Sequence, residues 1–65
     1  MTINYYIALK FANGNTGFYH SDYKGLAKVT SLYNAKGYKR KKDALNAVER
    51  IKKDKRLVGY DIIAK

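Results

Sequence analysis

The chain of 65 residues contains no cysteine, no proline and no tryptophan. Without cysteine it has neither a disulfide nor a thiolate metal site, and the lack of cysteine suits a reducing cytoplasm. Histidine occurs once, and the five acidic residues are scattered along the chain, so neither a metal nor another cofactor is expected. A single domain spanning residues 1–65 must therefore be stabilised by its aliphatic and aromatic side chains, or in part by a partner.

Long apolar runs and glycine-rich phosphate loops are also absent. The apolar residues at the start alternate with polar ones and have no basic segment before them, so neither a signal peptide nor a membrane span is predicted. Gly14 and Gly17 fall in a predicted hairpin turn rather than between a strand and a helix. The sequence suggests no nucleophile and no orienting residue that would act with His20. We therefore interpret His20 as a strand residue at the sheet margin. We therefore expect a cytoplasmic protein that is not an enzyme.

Positive charge is what the sequence has in excess. Fourteen Lys and Arg residues against five Asp and Glu residues give a net charge of +9. Nucleic acid is the commonest polyanionic partner of a small domain with this charge, and an acidic protein surface comes next. A membrane surface is less favoured, because the basic helix lacks a broad aromatic or leucine face.

Alternation and turn residues predict the strands. Residues 2–11 alternate apolar and polar side chains, which is typical of a half-buried strand, and the turn cluster 13–17 leads into a returning strand over 18–23. The segment 26–33 fits both a helical spacing and a strand; we favour a third strand near 28–33. Residues 57–64 alternate again and predict a closing strand.

One long helix is predicted from about Lys41 to Asp54. Its apolar stripe consists of Ala44, Ala47, Val48 and Ile51. The element order β-β-β-α-β predicts an α+β fold: a small three- to four-stranded antiparallel sheet with the helix packed on one face. We take that face to be the one that bears Ile3, Tyr5, Ile7 and Leu9, which leaves the other face open to solvent or a partner.

The helix begins beside the densest run of positive charge. Five cations lie within seven residues: Lys36, Lys39, Arg40, Lys41 and Lys42. Arg40 occupies the N-cap position, where Ser, Thr, Asp or Asn would be the preferred residue. Backbone N–H groups at a helix start favour an anion, so the cluster is a candidate phosphate clamp. The alternative is that these are solvated side chains that aid solubility.

Tyrosine is the second unusual feature, with seven residues against two phenylalanines. Tyr5, Tyr33, Tyr38 and Tyr60 are interpreted as core residues. Tyr6, Tyr19 and Tyr23 are placed on the open face, where Tyr6 and Tyr19, beside Lys10 and Lys28, would stack on bases or pack against a protein. The alternative is cross-strand aromatic pairing that stabilises a small sheet.

The segment Gly37–Ala44 (GYKRKKDA), placed between strands and an amphipathic helix, resembles the Gly-Phe-Lys-Thr-Lys-Lys-Glu-Ala signature of arm-site DNA-binding domains of phage tyrosine integrases. The chain departs from that pattern at Arg40, where the family has a capping Thr, and in its added strand 57–64. The element pattern is also similar to that of small basic proteins of phages and prophages of Gram-positive bacteria. The resemblance implies a mobile-element protein that contacts DNA through its sheet.

The predicted function is that of a non-enzymatic nucleic-acid-binding module, encoded by a phage or prophage, with DNA favoured over RNA. The predicted contacts are Lys39, Arg40, Lys41, Lys42, Lys36, Lys10, Lys28, Tyr6 and Tyr19. The phage context brings in a rival: an inhibitor of a host defence protein, of the anti-CRISPR type, that docks on an acidic surface of a CRISPR nuclease or on guide RNA. A third hypothesis is a homodimer formed by edge pairing of the sheet.

Overall fold

A computed structural model describes residues 3–65 of the chain. It confirms the predicted α+β class: a four-stranded antiparallel sheet with one α-helix. The elements are β1 (Tyr5–Phe11), β2 (Thr16–Tyr23), β3 (Leu26–Thr30), a short 3₁₀ turn (Leu32–Asn34), α1 (Lys41–Ile51) and β4 (Leu57–Ala64).

The sheet is built around β1, which pairs with β2 on one side and with β4 on the other, in the order β3-β2-β1-β4. The helix packs on the face of β1 that carries Ile7 and Leu9, both almost fully buried, which confirms the predicted side. Ile3 lies beyond the cover of the helix and is 55% exposed. The remaining core residues are Phe11, Tyr19, Ala27, Ala44, Ala47, Val48 and Ile51.

Two turns with positive φ connect the first three strands. In the first, Gly14 has φ +90°, and the side chain of Asn13 accepts a hydrogen bond of 3.0 Å from the Asn15 N–H. In the second, Lys24 and Gly25 have φ values of +52° and +82° between the paired residues Tyr23 and Leu26. Two successive positive φ values define a type I′ hairpin turn, and glycine is well suited to its second position.

Several predicted boundaries are shifted. Strand β3 covers Leu26–Thr30 rather than 28–33, and the 3₁₀ turn occupies the end of that segment. The helix ends at Ile51 rather than Asp54. Strand β2 begins at Thr16, two residues earlier than predicted, and β1 begins at Tyr5; Thr2, the first residue of the predicted strand, lies outside the described residues. The closing strand over 57–64 is confirmed.

Of the four tyrosines predicted to be core residues, two are placed correctly. Tyr5 and Tyr38 are half-buried and pack against the core. Tyr33 is 95% exposed because it lies on the 3₁₀ turn, which contributes no buried residue, and not on a strand. Tyr60 lies opposite Leu9 on β4, the edge strand, and is 54% exposed. Its position is on the helix side, but the helix does not cover it fully.

The segment before the helix is held between β1 and β2, where these strands separate. Strand β1 pairs with β2 only from Ala8 to Lys10. Beyond that point the N–H of Lys36 donates to the carbonyl of Tyr19 (3.0 Å), and Tyr38 exchanges two backbone hydrogen bonds with Tyr5 (2.7 and 2.9 Å). The start of the helix is therefore attached to the sheet by backbone hydrogen bonds on both sides.

The loop after the helix reaches β3. Asp54 is buried, and its carboxylate accepts hydrogen bonds from the N–H of Ala27 (3.1 Å) and from the guanidinium of Arg56 (2.7 Å). Arg56 also donates to the carbonyl of Ala27 (3.0 Å). Both backbone polar groups of Ala27 thus bond to the loop, so this part of an edge strand is unavailable for pairing with another chain.

Candidate nucleic-acid interface

The basic cluster surrounds the first turn of α1. Lys39, Arg40, Lys41 and Lys42 are all exposed, and the side chain of Arg40 makes no capping hydrogen bond at the N-cap position. Within the described part of the chain, only two N–H groups of the first turn have partners: those of Asp43 and Ala44 bond to the carbonyl of Arg40 (3.1 and 3.3 Å). Unpaired N–H groups and lysine ammonium groups are hence presented together, an arrangement suited to an anion.

Arg40 differs from the three lysines because it has an acidic partner. Its Nε lies 3.1 Å from Oδ2 of Asp43, and both side chains are exposed to solvent. The pair is one turn apart on the helix and contributes little to stability at the surface. It does hold the guanidinium against the helix, so Arg40 is the cluster member that is partly neutralised within the protein.

The other ion pairs show a division between arginine and lysine. Arg50 pairs with Asp22 (3.7 Å), Arg56 with Asp54 (2.7 Å) and Lys52 with Glu49 (2.6 Å). All three arginines are therefore engaged. Within residues 3–65, the cations that make no ion pair are all lysines: Lys10, Lys24, Lys28, Lys36, Lys39, Lys41, Lys42, Lys53, Lys55 and Lys65.

The face of the sheet opposite the helix is not covered by any element of the described residues. One cross-strand row on this face takes a residue from each strand: Thr30, Phe18, Ala8 and Asp61. The next row contains Thr16, Lys10 and Gly59. Cross-strand partners point to the same side of a sheet, so these two rows form one continuous surface.

The structure places Tyr6 against the loop that precedes the basic cluster. A Cβ atom added to Gly37 would lie 3.2 Å from Cε1 of Tyr6, so the loop before the helix packs on this ring. Lys36, in the same loop, places its Nζ 5.8 Å from the centre of the Tyr38 ring. Tyr6 therefore lies against the loop that leads to the basic cluster, with its side chain on the face of the sheet opposite to α1.

Lys10 and Lys28 are on the open face but apart from that loop. Lys10 lies towards the other end of β1, opposite Thr16 and Gly59. Lys28 lies on β3 opposite Ser21; its neighbour Ala27 points into the core, so Lys28 points to the open side. The two lysines place positive charge on the open face, apart from the cluster.

The placement of Tyr19 on the open face is wrong. The hairpin pairs Ala8 with Phe18, so Phe18 shares the open face with Ala8 and Tyr19 points to the helix side. Tyr19 is 3% exposed, and its hydroxyl donates a hydrogen bond of 2.6 Å to Asp22. Burial, together with this hydrogen bond, raises the pKa of Tyr19 to about 12. Because the ring of Tyr19 is buried, it cannot stack on a base.

A bulge in β2 explains how Tyr19 and Asp22 meet. The register against β3 shifts between Tyr19 and Ser21, which puts one extra residue, His20, into β2. Residues three apart, Tyr19 and Asp22, consequently point to the same side, where Arg50 of the helix approaches both at 3.4 and 3.7 Å. The three side chains form a polar group at the border of the core.

Phe18 is the residue of the open face that the sequence analysis missed. It is half-buried but does not belong to the hydrophobic core, and it lines a groove of about 710 Å³ together with Ala8, Lys10, Thr30, Gly59 and Asp61. The signal that could have found it is the hairpin register. A loop between Lys10 and Thr16 that pairs these two residues sets Phe18, not Tyr19, beside Ala8.

Comparisons with protein-family models, with curated proteins and with solved structures found no match to this chain. The resemblance of residues 37–44 to integrase arm-site domains thus stays a hypothesis. No helix in residues 3–65 has the length and apolar character needed to cross a membrane.

Proposed function

We propose that this protein is a non-enzymatic nucleic-acid-binding module that acts in the cytoplasm. It binds phosphate groups with Lys39, Lys41 and Lys42 at the start of α1. The observation that carries the proposal is the distribution of ion pairs: four of the five acidic side chains are bound to other cations. The lysines of the cluster lack internal partners among the described residues, so a polyanion is the natural counter-ion.

The open face supports the same proposal. Lys36 lies in the loop that leads into α1 and Tyr6 packs against this loop, and Lys10 and Lys28 add positive charge on the face of the sheet opposite to the helix. Arg40 has a smaller part, since Asp43 partly neutralises it. In a nucleic-acid complex, such phosphate contacts fix the position of the chain, while aromatic residues on the sheet contact bases.

Charge reversal of Lys41 and Lys42 to Glu tests the proposal. We expect affinity for nucleic acid to fall and the slope of log K against log salt to decrease by about two, because two phosphate contacts are lost. Glutamate in the first helical turn suits the helix dipole, so the variant should be at least as stable as the wild type. Lost binding therefore would not reflect unfolding.

The matched control is Lys53→Glu with Lys55→Glu, which makes the same change in net charge beyond the other end of the helix. Fluorescence anisotropy with labelled DNA and RNA, at low and physiological salt, measures both variants. If both variants lose the same affinity for nucleic acid, binding reflects only the general attraction between a polycation and a polyanion. Absence of binding at physiological salt would overturn the proposal and direct attention to an acidic host protein, such as a CRISPR nuclease.

A further inference from the structure

The groove on the open face has features that the phosphate contacts do not explain. Its lining includes the small residues Ala8 and Gly59, and also Phe18, which pairs with Ala8 across the hairpin. Gly59 has open space where a side chain would project, with no atom within 4 Å of an added Cβ. At about 710 Å³, the groove has the volume of a small-molecule site.

Phe18 is placed on this face without a packing role in the core. In the described residues, the core cluster and the apolar side chains packed against it include Phe11 but not Phe18. Phe18 is only half-buried and lines the groove, so part of its side chain is open to contact with a bound base. Every nucleobase offers a π-face, so an aromatic ring binds bases with little regard to sequence.

The groove carries a positive charge in one cross-strand row and a negative charge in the neighbouring row. Lys10 lies in one cross-strand row, between Thr16 and Gly59, and Asp61 lies in the next row, opposite Ala8. A phosphate is attracted to the first row and repelled from the second. A bound nucleotide would thus direct its phosphate to Lys10 and its base towards Phe18 and Ala8.

We propose that the groove binds an unpaired base of a single-stranded nucleic acid, stacked on Phe18, with the adjoining phosphate on Lys10. This inference rests on the proposed function and makes it more specific. In a duplex the bases are stacked on each other and present only their edges, so the face of Phe18 is of use only with an unpaired base. The positive charge of the surrounding surface selects this occupant over an apolar ligand.

Two variants test the groove without touching the basic cluster. Phe18→Leu keeps an apolar side chain but removes the ring, and Gly59→Leu fills the groove where no atom stands in the way. Each should weaken binding of a labelled single-stranded oligonucleotide about tenfold, the size of one lost stacking contact. Binding of a duplex of the same sequence should change less than twofold. Single-stranded DNA and RNA of one sequence are compared to identify the preferred sugar.

A third variant reports stacking directly. The chain has no tryptophan, so Phe18→Trp introduces a single indole whose fluorescence a stacked base would quench. Leu45→Trp, on the helix that covers the other face, is the matched control and should respond little. Quenching that saturates together with the anisotropy signal supports the inference, even if Gly59→Leu fails to fold.

The outcomes separate the two proposals. If Lys41→Glu with Lys42→Glu weakens binding while Phe18→Trp is not quenched and Phe18→Leu binds like the wild type, the groove inference is overturned and the proposed function stands. A duplex that binds as tightly as the single strand, with no quenching, has the same meaning. If no nucleic acid binds at physiological salt, both proposals are overturned together.

Discussion

Asp54 and Ala27, 27 positions apart in the chain, are joined by a hydrogen bond of 3.1 Å from the Ala27 N–H to the Asp54 carboxylate. Arg56 completes the contact by donating to the carbonyl of Ala27 and to Asp54 itself. Side chains thereby connect the loop before β4 to β3, the strand at the opposite edge of the sheet. These hydrogen bonds hold β3 to the loop that follows the helix.

Replacing Asp54 by Asn should lower the free energy of unfolding by about 2 kcal/mol, because a buried, charge-assisted hydrogen-bond acceptor is lost. Urea denaturation followed by circular dichroism measures the change. Asp61→Asn is the control, since Asp61 is exposed and bonds only to the N–H of its neighbour Ile62. An equal effect of the two substitutions would mean that the connection to β3 is not what Asp54 contributes.

The same carboxylate should make the protein sensitive to acid. The hydrogen bond from the guanidinium of Arg56 lowers the pKa of Asp54 from its ordinary value of 3.8. A depressed pKa in the folded state contributes stability above pH 3.8, and this stability is lost as the pH falls further. Between pH 4 and about pH 2, the wild type should lose more stability than Asp54→Asn. Parallel pH profiles for the two proteins would contradict the prediction.

Tyr19 should have the opposite effect, at alkaline pH. Its pKa is raised to about 12, so its contribution to stability is complete below the ordinary value of 10.0 and is lost as the pH rises through 12. Tyr19→Phe removes this dependence, and the difference in urea midpoint between the two proteins should shrink above pH 10.0. In an absorbance titration of the wild type, one tyrosine should ionise later than the others, and this late step should be missing from Tyr19→Phe.

The turn between β2 and β3 offers a stabilising substitution. Lys24 has φ +52°, a left-handed conformation that asparagine adopts more readily than lysine. Lys24→Asn produces the Asn-Gly pair preferred in type I′ turns and should raise the free energy of unfolding by about 0.5 kcal/mol, after loss of the contact with the Tyr23 ring. Lys55→Asn makes the same charge change elsewhere and should not stabilise. A destabilised Lys24→Asn would show that the ring contact outweighs the turn.

The elements with a strong local pattern could be predicted from the sequence. Residues 57–64 alternate, and Ala44, Ala47, Val48 and Ile51 follow a helical stripe, so β4 and the buried face of α1 agree with expectation. The end of the helix was missed because no local signal marks it. After Ile51 the chain turns so that Asp54 reaches Ala27, a contact set by the tertiary structure.

The open face was harder to predict because it depends on pairing between strands. A shift of one residue in the hairpin exchanges Phe18 and Tyr19 between the two faces, and the alternation of β2 does not favour one choice. The bulge at His20 then breaks the period of two within β2. The lysines of residues 39–42 are placed correctly at the exposed start of the helix, since their position needs only the helix boundary.

Every arginine is engaged in an ion pair, and among residues 3–65 the cations that make no ion pair are all lysines. A chemical change that is confined to lysine therefore alters the surface charge but not the ion pairs of the arginines. Reagents or enzymes that acetylate amines act on lysine and leave guanidinium groups intact. Exhaustive acetylation would thus abolish most of the positive field yet spare Arg50 and Arg56, which hold the helix and the loop to the sheet. Acetylation would therefore change the surface charge without breaking the ion pairs that support the fold.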